Sequence, residues 1–207
     1  MYGRKMESQD LALTMTGPAP ERDDSRAESA QALERAMAGD RAAFDELLRC
    51  YERRVLMTAW RLLGSKEDAQ DAAQEVFLRL YRHLHRVDPQ RPLLPWLYRV
   101  TVNVCHDLRR KRRWDTAIPV EEVDPARLTA DPAGEIARAE QKRMVAAALQ
   151  TLTEKERAAV VLRDIQGLST REVAGIMGSS EVTVRTRIWL ARVKIKKFVE
   201  RLEKRRS

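Results

Sequence analysis

The chain has 207 residues, enough for one or two domains with real cores. Charged residues make up 34% of it, the formal net charge is +8 and the pI is near 9.8, which points to an acidic partner: nucleic acid or an anionic membrane surface. No apolar run approaches the roughly eighteen residues of a membrane span, and Arg4 and Lys5 are followed by no apolar stretch before Pro18, so the expected place is the cytoplasm. Cys50 and Cys105 lie far apart, without Cys-x-x-Cys or His-rich spacing. No metal or other cofactor is therefore expected. Both cysteines read as small buried apolar residues, with redox sensing as the alternative.

Residues 1–27 are polar, with Gly17-Pro18 and Pro20, and read as a disordered tail. A short helix is predicted around Ala30–Ala38, ended by Gly39. Asp40 caps a second helix, where Phe44, Leu47, Leu48, Tyr51, Val55 and Leu56 recur at helical spacing up to Leu63. Gly64 ends it, and Ser65 opens a third helix, Lys66–Arg86. Its apolar stripe is Val76, Leu80 and Leu84, broadened by Phe77 and Tyr81. Asp88-Pro89 and Arg91-Pro92 make a turn. Pro95 then starts a fourth helix that ends near Arg113, in the run Arg109-Arg110-Lys111-Arg112-Arg113. Five successive cations exceed what a helix C-terminus requires, so the run is a phosphate-binding candidate.

Composition then changes. Between Asp115 and Glu140 there are seven acidic residues against two arginines, with Pro119, Pro125 and Pro132. Residues 115–132 read as an acidic linker. A helix Ala133–Leu149 opens a second domain, and Thr153 with Glu156 forms a capping box for the helix that ends at Gly167. The fold class is therefore all-α: two small helical domains, 28–114 and 133–207, joined by that linker.

The last stretch carries the sharpest signal. Ser169 and Glu172 form another capping box, Val173, Ile176 and Met177 give an apolar face, and Gly178 supplies a turn. Ser180 caps a final helix whose apolar residues are Val184, Ile188, Ala191 and Ile195, with polar residues on the other faces. This is a helix-turn-helix, whose second helix sits in the major groove of DNA. From Arg185 to Arg206 there are ten Lys or Arg against Glu200 and Glu203. Phosphate binding explains that excess better than a solvated face does.

Three stretches together carry a family resemblance. DAAQEVFLRLYRHL (Asp71–Leu84) resembles the second conserved region of bacterial sigma factors, with its Asp-x-x-Gln-Glu-x-Phe pattern. LLPWLYRVTVNVCHDLRRKRR (Leu93–Arg113) resembles the promoter-element helix that follows it. The stretch Leu152–Ile188 resembles the fourth conserved region. The order and spacing, with no third-region domain between, resemble the short extracytoplasmic-function (ECF) group of the sigma-70 family.

The resemblance implies a protein without catalytic chemistry that binds core RNA polymerase at its clamp helices and flap. Asp71, Gln74 and Glu75, on one helix face, are implied to dock on the clamp helices. Asn103, Asp107, Arg109, Arg110, Arg112 and Arg113 are implied to meet the minus-10 element, with Asn103 at a base edge and the arginines on phosphates. Residues 87–94 occupy the family position of a pocket for an unpaired non-template base, with Trp96 and Tyr98 as candidate stacking platforms and Trp96 more often core. Ser180, Glu181, Thr183, Arg185, Thr186 and Arg187 are implied to meet the minus-35 element of double-stranded promoter DNA. Arg187, Arg192 and Lys196 read as phosphate contacts or solvated. Val145, Leu149, Leu152 and Val161 read as core, with a flap groove as the alternative. The resemblance also implies an anti-sigma partner, sometimes at the membrane.

The chain departs from the family pattern at Ser179, where an apolar residue is usual, and at Trp189 and Leu190, where polar ones are. Ser179 implies a looser turn. Trp189 and Leu190 are extra apolar surface for an inhibitory partner, or core. Two other readings compete: a stand-alone helix-turn-helix regulator, and a DNA recombinase, for which no nucleophile or acidic triad is evident.

Overall fold

The computed structural model describes residues 23–115 and 144–206. The linker 116–132, residues 133–143 and the tail up to residue 22 lie outside the described residues. Every regular element among the described residues is helical, and they form two compact units.

The first unit begins with α1 (Asp23–Met37). It starts upstream of the predicted Ala30, inside the stretch assigned to the tail, because residues 23–29 hold neither Pro nor Gly and join the alanine-rich run behind them. Ala32, Leu33 and Ala36 are its buried stripe. Asp40 then does two jobs. Its carboxylate accepts from the amides of Ala42 (2.9 Å) and Ala43 (3.2 Å), capping α2 (Arg41–Leu63). It also accepts from Arg35 Nε and Nη2 at 3.0 and 2.7 Å, which ties the end of α1 to the start of α2.

Helix α2 buries Ala43, Leu47, Tyr51, Val55, Ala59, Leu62 and Leu63 and ends at Gly64, whose φ of 80° only glycine adopts freely. Ser65 Oγ accepts from the Asp68 amide to open α3 (Lys66–His83). The predicted third helix ran to Arg86; the chain instead tightens into a 3₁₀ turn at Leu84–Arg86, with Val87 bonded back to Leu84. The long α4 (Leu93–Asp115) starts two residues before Pro95, which falls in its first turn where no amide partner is required, and it runs through Asp115, the first residue assigned to the linker. Leu93, Leu97, Tyr98, Thr101, Val104 and Cys105 line its buried side. Thr58 and Thr101, fully buried, each donate to the carbonyl four residues back at 2.7 Å, so neither hydroxyl is left without a partner.

Three expectations about the core change here. Cys50 is exposed and only Cys105 is buried, where burial pushes its thiol up to about 12. Tyr98, offered as a stacking platform, is buried, and Trp96, read more often as core than as platform, is half-buried. Tyr81, placed in the core by its spacing, is 60% exposed and meets Phe44 edge-to-face at 5.3 Å; Phe77 is half-buried.

The second unit is described from a helical segment at residues 144–150, here α5, followed by α6 (Glu154–Val160). The Thr153–Glu156 capping box is present in both directions. Helix α6 does not simply run to Gly167. It widens into a π-helical turn at Val161–Ile165, and an unbroken run from Glu156 to Leu162 is buried, as befits a central helix. Arg157 is buried, and its guanidinium donates to the carbonyls of Leu149 (2.7 Å), Gln150 (3.2 Å) and Leu152 (3.0 Å). A side chain thus caps the end of α5 from below. Leu149, Leu152 and Val161 are core, as read; Val145 is half-buried.

Helix α7 (Thr170–Met177) opens with the Ser169–Glu172 capping box, the amide of each accepted by the other's side chain at 2.7 and 3.2 Å. Gly178, with φ 57°, turns the chain, and the Ser179 amide closes on Ala174 at 3.0 Å. The final helix, α8 (Glu181–Arg206), is one uninterrupted element of 26 residues. Val184, Ile188, Ala191, Ile195 and Val199 seat it on the unit's core.

Candidate nucleic-acid and polymerase interfaces

Helix α3 buries Ala69, Ala72, Ala73, Val76 and Leu80, which fixes the opposite face outward. Asp71 and Gln74 are exposed there and Glu75 half-exposed. Leu78 and Tyr81 share this face, one and two turns beyond Gln74, and both are exposed. Sequence periodicity missed them because hydrophobic residues near a stripe are read as part of it. A polar face with embedded Leu and Tyr resembles a protein-binding surface more than a solvated one.

That face is linked to α4 through charges. Arg79 Nε donates to Glu75 at 2.7 Å, Arg79 lies 3.9 Å from Asp107, and Asp107 lies 3.7 Å from Arg110. Asn103, Asp107 and Arg110 are all exposed along one side of α4, at i, i+4 and i+7. The arginine run behind them is less uniform than its sequence suggests. Arg112 is ion-paired with the buried Asp68 at the start of α3, which pins the end of α4, and Arg109 is half-buried. The side chain of Arg113 lies outside the described residues. Beside the loop that precedes α4, a cleft of about 160 Å³ is lined by residues 89–93 with Leu33 and Tyr51. Tyr98 does not line it; as a buried residue it is not available as a stacking platform.

In the second unit, Ser180 Oγ accepts from the Thr183 amide (3.2 Å) and so caps α8. Glu181 pairs with Arg185 at 3.2 Å. Arg187 donates to Ser179 Oγ at 3.2 Å, so the polar residue in the turn has a partner and the turn is closed, not loose. Two cations counted toward phosphate binding are held within the unit. Arg192 forms two bonds to Asp164 of the π turn (2.9 and 2.7 Å), which raises its pKa, and Lys194 forms two to Glu156 (2.8 and 2.7 Å). Arg192 stays exposed, as one of its two expected readings has it, and is at the same time tied to Asp164. Burial alone would raise the Glu156 carboxyl, but hydrogen bonds from Lys194 and Thr153 outweigh it and hold it below the ordinary value. Trp189 and Leu190 are exposed, and neither is core.

The architecture matches known proteins in both halves. Residues 47–115 match the model for sigma-70 region 2, and residues 142–195 that for sigma-70 region 4. The ECF RNA polymerase sigma factor SigM of Mycobacterium tuberculosis (strain Erdman) is 33% identical over 171 residues, spanning 83% of this chain and 84% of that protein. The ECF RNA polymerase sigma-E factor of Escherichia coli K12 is 32% identical over 182 residues, 84% of this chain and 95% of its own. Among solved structures, CnrH in complex with the cytosolic domain of CnrY superposes with a TM-score of 0.63 at 28% identity, covering 84% of this chain and 97% of that one. The sigma factor RpoE in complex with the anti-sigma factor NepR from Bartonella quintana shares the fold at the same TM-score and 20% identity, covering 76% and 96%. The chain belongs to the ECF group of sigma-70 RNA polymerase sigma factors. Such proteins direct promoter-specific transcription and are initiation factors rather than enzymes.

Proposed function

We propose that the first unit carries the polymerase contact and the minus-10 contact, and that the second carries the minus-35 contact. Asp71, Gln74 and Glu75 meet the clamp helices of core RNA polymerase, with Leu78 and Tyr81 adding the apolar part of that interface. Asn103, Asp107 and Arg110 face the minus-10 element, Asn103 reading a base edge and Arg109, Arg110 and Arg113 supporting phosphates. Arg112 acts mainly by fixing the end of α4 to Asp68. Residues 87–94, over the cleft beside α1 and α2, hold an unstacked non-template base and so favour melting. Ser180, Glu181, Thr183, Arg185, Thr186 and Arg187 present the start of α8 to the minus-35 element. Domain limits of 28–114 and 133–207, joined by the acidic linker 115–132, are part of the same reading, with α1 carrying the first unit's helices back to Asp23 and α4 carrying them on to Asp115. The protein acts in the cytoplasm with its polymerase, restrained by an anti-sigma factor; in support, CnrH is solved in complex with the cytosolic domain of CnrY and RpoE in complex with the anti-sigma factor NepR.

One observation carries this reading. On α3, α4 and α8 the polar sets point away from the core, while Val76 and Leu80, Val104 and Cys105, and Val184 and Ile188 on the other sides of these helices are buried. Run-off transcription with core polymerase, with and without the protein, tests it. A promoter-specific start that depends on the protein is the expected result. Tight binding to one operator by the protein alone, with no promoter-specific transcript, would overturn it in favour of a stand-alone regulator.

A further inference from the structure

The outward side of the first two turns of α8 presents more hydrocarbon than its polar sequence suggests. Thr186 Oγ1 donates to the Val182 carbonyl at 3.1 Å. The hydroxyls of Ser180 and Thr183 bond each other at 2.8 Å. Arg185 reaches back to Glu181 at 3.2 Å, and Arg187 to Ser179 at 3.2 Å. Each polar candidate on this surface therefore has a partner close by. Val182 needs none. It is 68% exposed, more than Trp189 at 63%. At 100° per residue it lies between Arg185 and Thr186, away from the buried Val184, Ile188 and Ala191. It is the second residue of α8, where the N-terminal residues of a recognition helix reach base edges.

A lone exposed valine on a protein surface is ordinary. This one stands at the point of a helix built to enter the major groove, among hydroxyls already engaged. A branched hydrocarbon at a base edge has one complementary feature in that groove, the C5-methyl group of thymine. We infer that Val182 is a specificity-determining residue that packs its γ-methyl groups on a thymine methyl of the upstream promoter element; this rests on the assignment of α8 to that element. Trp189 shares the outward face but lies two turns, about 10 Å, further along α8, beyond the N-terminal residues that reach base edges. It does not share that thymine.

The test uses holoenzyme assembled from core polymerase and the full chain. A duplex library randomised over the upstream element gives the preferred sequence. In that duplex each thymine is then replaced singly by deoxyuridine, which removes the C5-methyl alone. At one thymine, or two adjacent ones, the replacement is expected to weaken wild-type binding roughly fourfold, the value of one buried methyl. The same replacement is expected to leave Val182→Ala holoenzyme unaffected, since the contact is already absent. Val182→Thr keeps one γ-methyl and retains part of the discrimination. Arg185→Ala binds more weakly overall yet keeps the full deoxyuridine penalty. An undiminished penalty in Val182→Ala, or a selected element without thymine on either strand, overturns the thymine contact and leaves the role of α8 standing. If the library shows no upstream preference and Arg185→Ala binds as the wild type does, the assignment of α8 fails, and the inference with it.

Discussion

At the scale of single residues, the second unit depends on a buried cation. Arg157 satisfies three carbonyls at and beyond the end of α5 from a position only 2% exposed. A Met of similar length would supply no donor to any of the three, leaving the Leu149 carbonyl only its bond from the Leu152 amide. Arg157→Met is expected to destabilise the second unit by about 3 kcal/mol, seen as a lower urea midpoint. Arg157→Lys recovers little of it, because an ammonium cannot spread its donors as the guanidinium fork does. The cysteines give a second residue-scale expectation. Iodoacetamide reacts with thiolate, and burial raises the Cys105 thiol to about 12 while Cys50 is exposed. Mass spectrometry of the native protein is expected to find Cys50 alkylated and Cys105 unmodified until the first unit is unfolded.

At the scale of elements, charges decide how α8 is held. Arg192 and Lys194 bind it to Asp164 and Glu156, so its register on α6 is set by ion pairs as well as by Val184, Ile188 and Ala191. The Glu156 carboxyl is held below its ordinary value of 4.5, so its deprotonated form is favoured in the fold. The stabilisation is therefore complete above about pH 4.5 and is lost as pH falls through the lowered folded value. Glu156→Gln keeps a side chain suited to the capping box but cannot titrate. It is expected to be less stable than wild type at pH 7, with the gap in urea midpoints narrowing as pH falls below that value. An equal gap at pH 7 and at low pH would show that the Lys194 pair contributes nothing through ionisation. Helix α4 is anchored in the same manner, by Arg112 on Asp68, which leaves Asn103, Asp107 and Arg110 as its outward set.

At the scale of the whole molecule, each unit has its own core, so the proposed roles are separable. Gln74→Ala is expected to weaken polymerase binding while leaving the dependence on the upstream element intact. Arg185→Ala is expected to do the reverse, weakening the dependence on the upstream element with polymerase affinity unchanged. Competition for core polymerase, followed by transcription from promoters with and without the upstream element, reads both. Equal losses of both properties in both variants would dissolve the division of labour.

The sequence by itself determined the helices and the family. Asp40, Ser65, Thr153, Ser169 and Ser180 mark helix starts through local hydrogen bonds, and Gly64 and Gly178 mark ends through backbone freedom; each signal acts within four residues and needs no tertiary partner. The polar faces of α3, α4 and α8 were legible for the same reason, since helical spacing assigns sides. Only the tertiary structure decided which residues near the edge of a stripe were covered. Tyr81 and Leu78 stand outside the core, Tyr98 lies within it, and Cys50 and Cys105 part company, because burial depends on where a second helix crosses. It also decided which cations are held in place. Arg112, Arg157, Arg192 and Lys194 find carboxylates or carbonyls at separations that no local spacing encodes, so basic residues that read alike in the sequence differ in whether they are tied to another element of the fold.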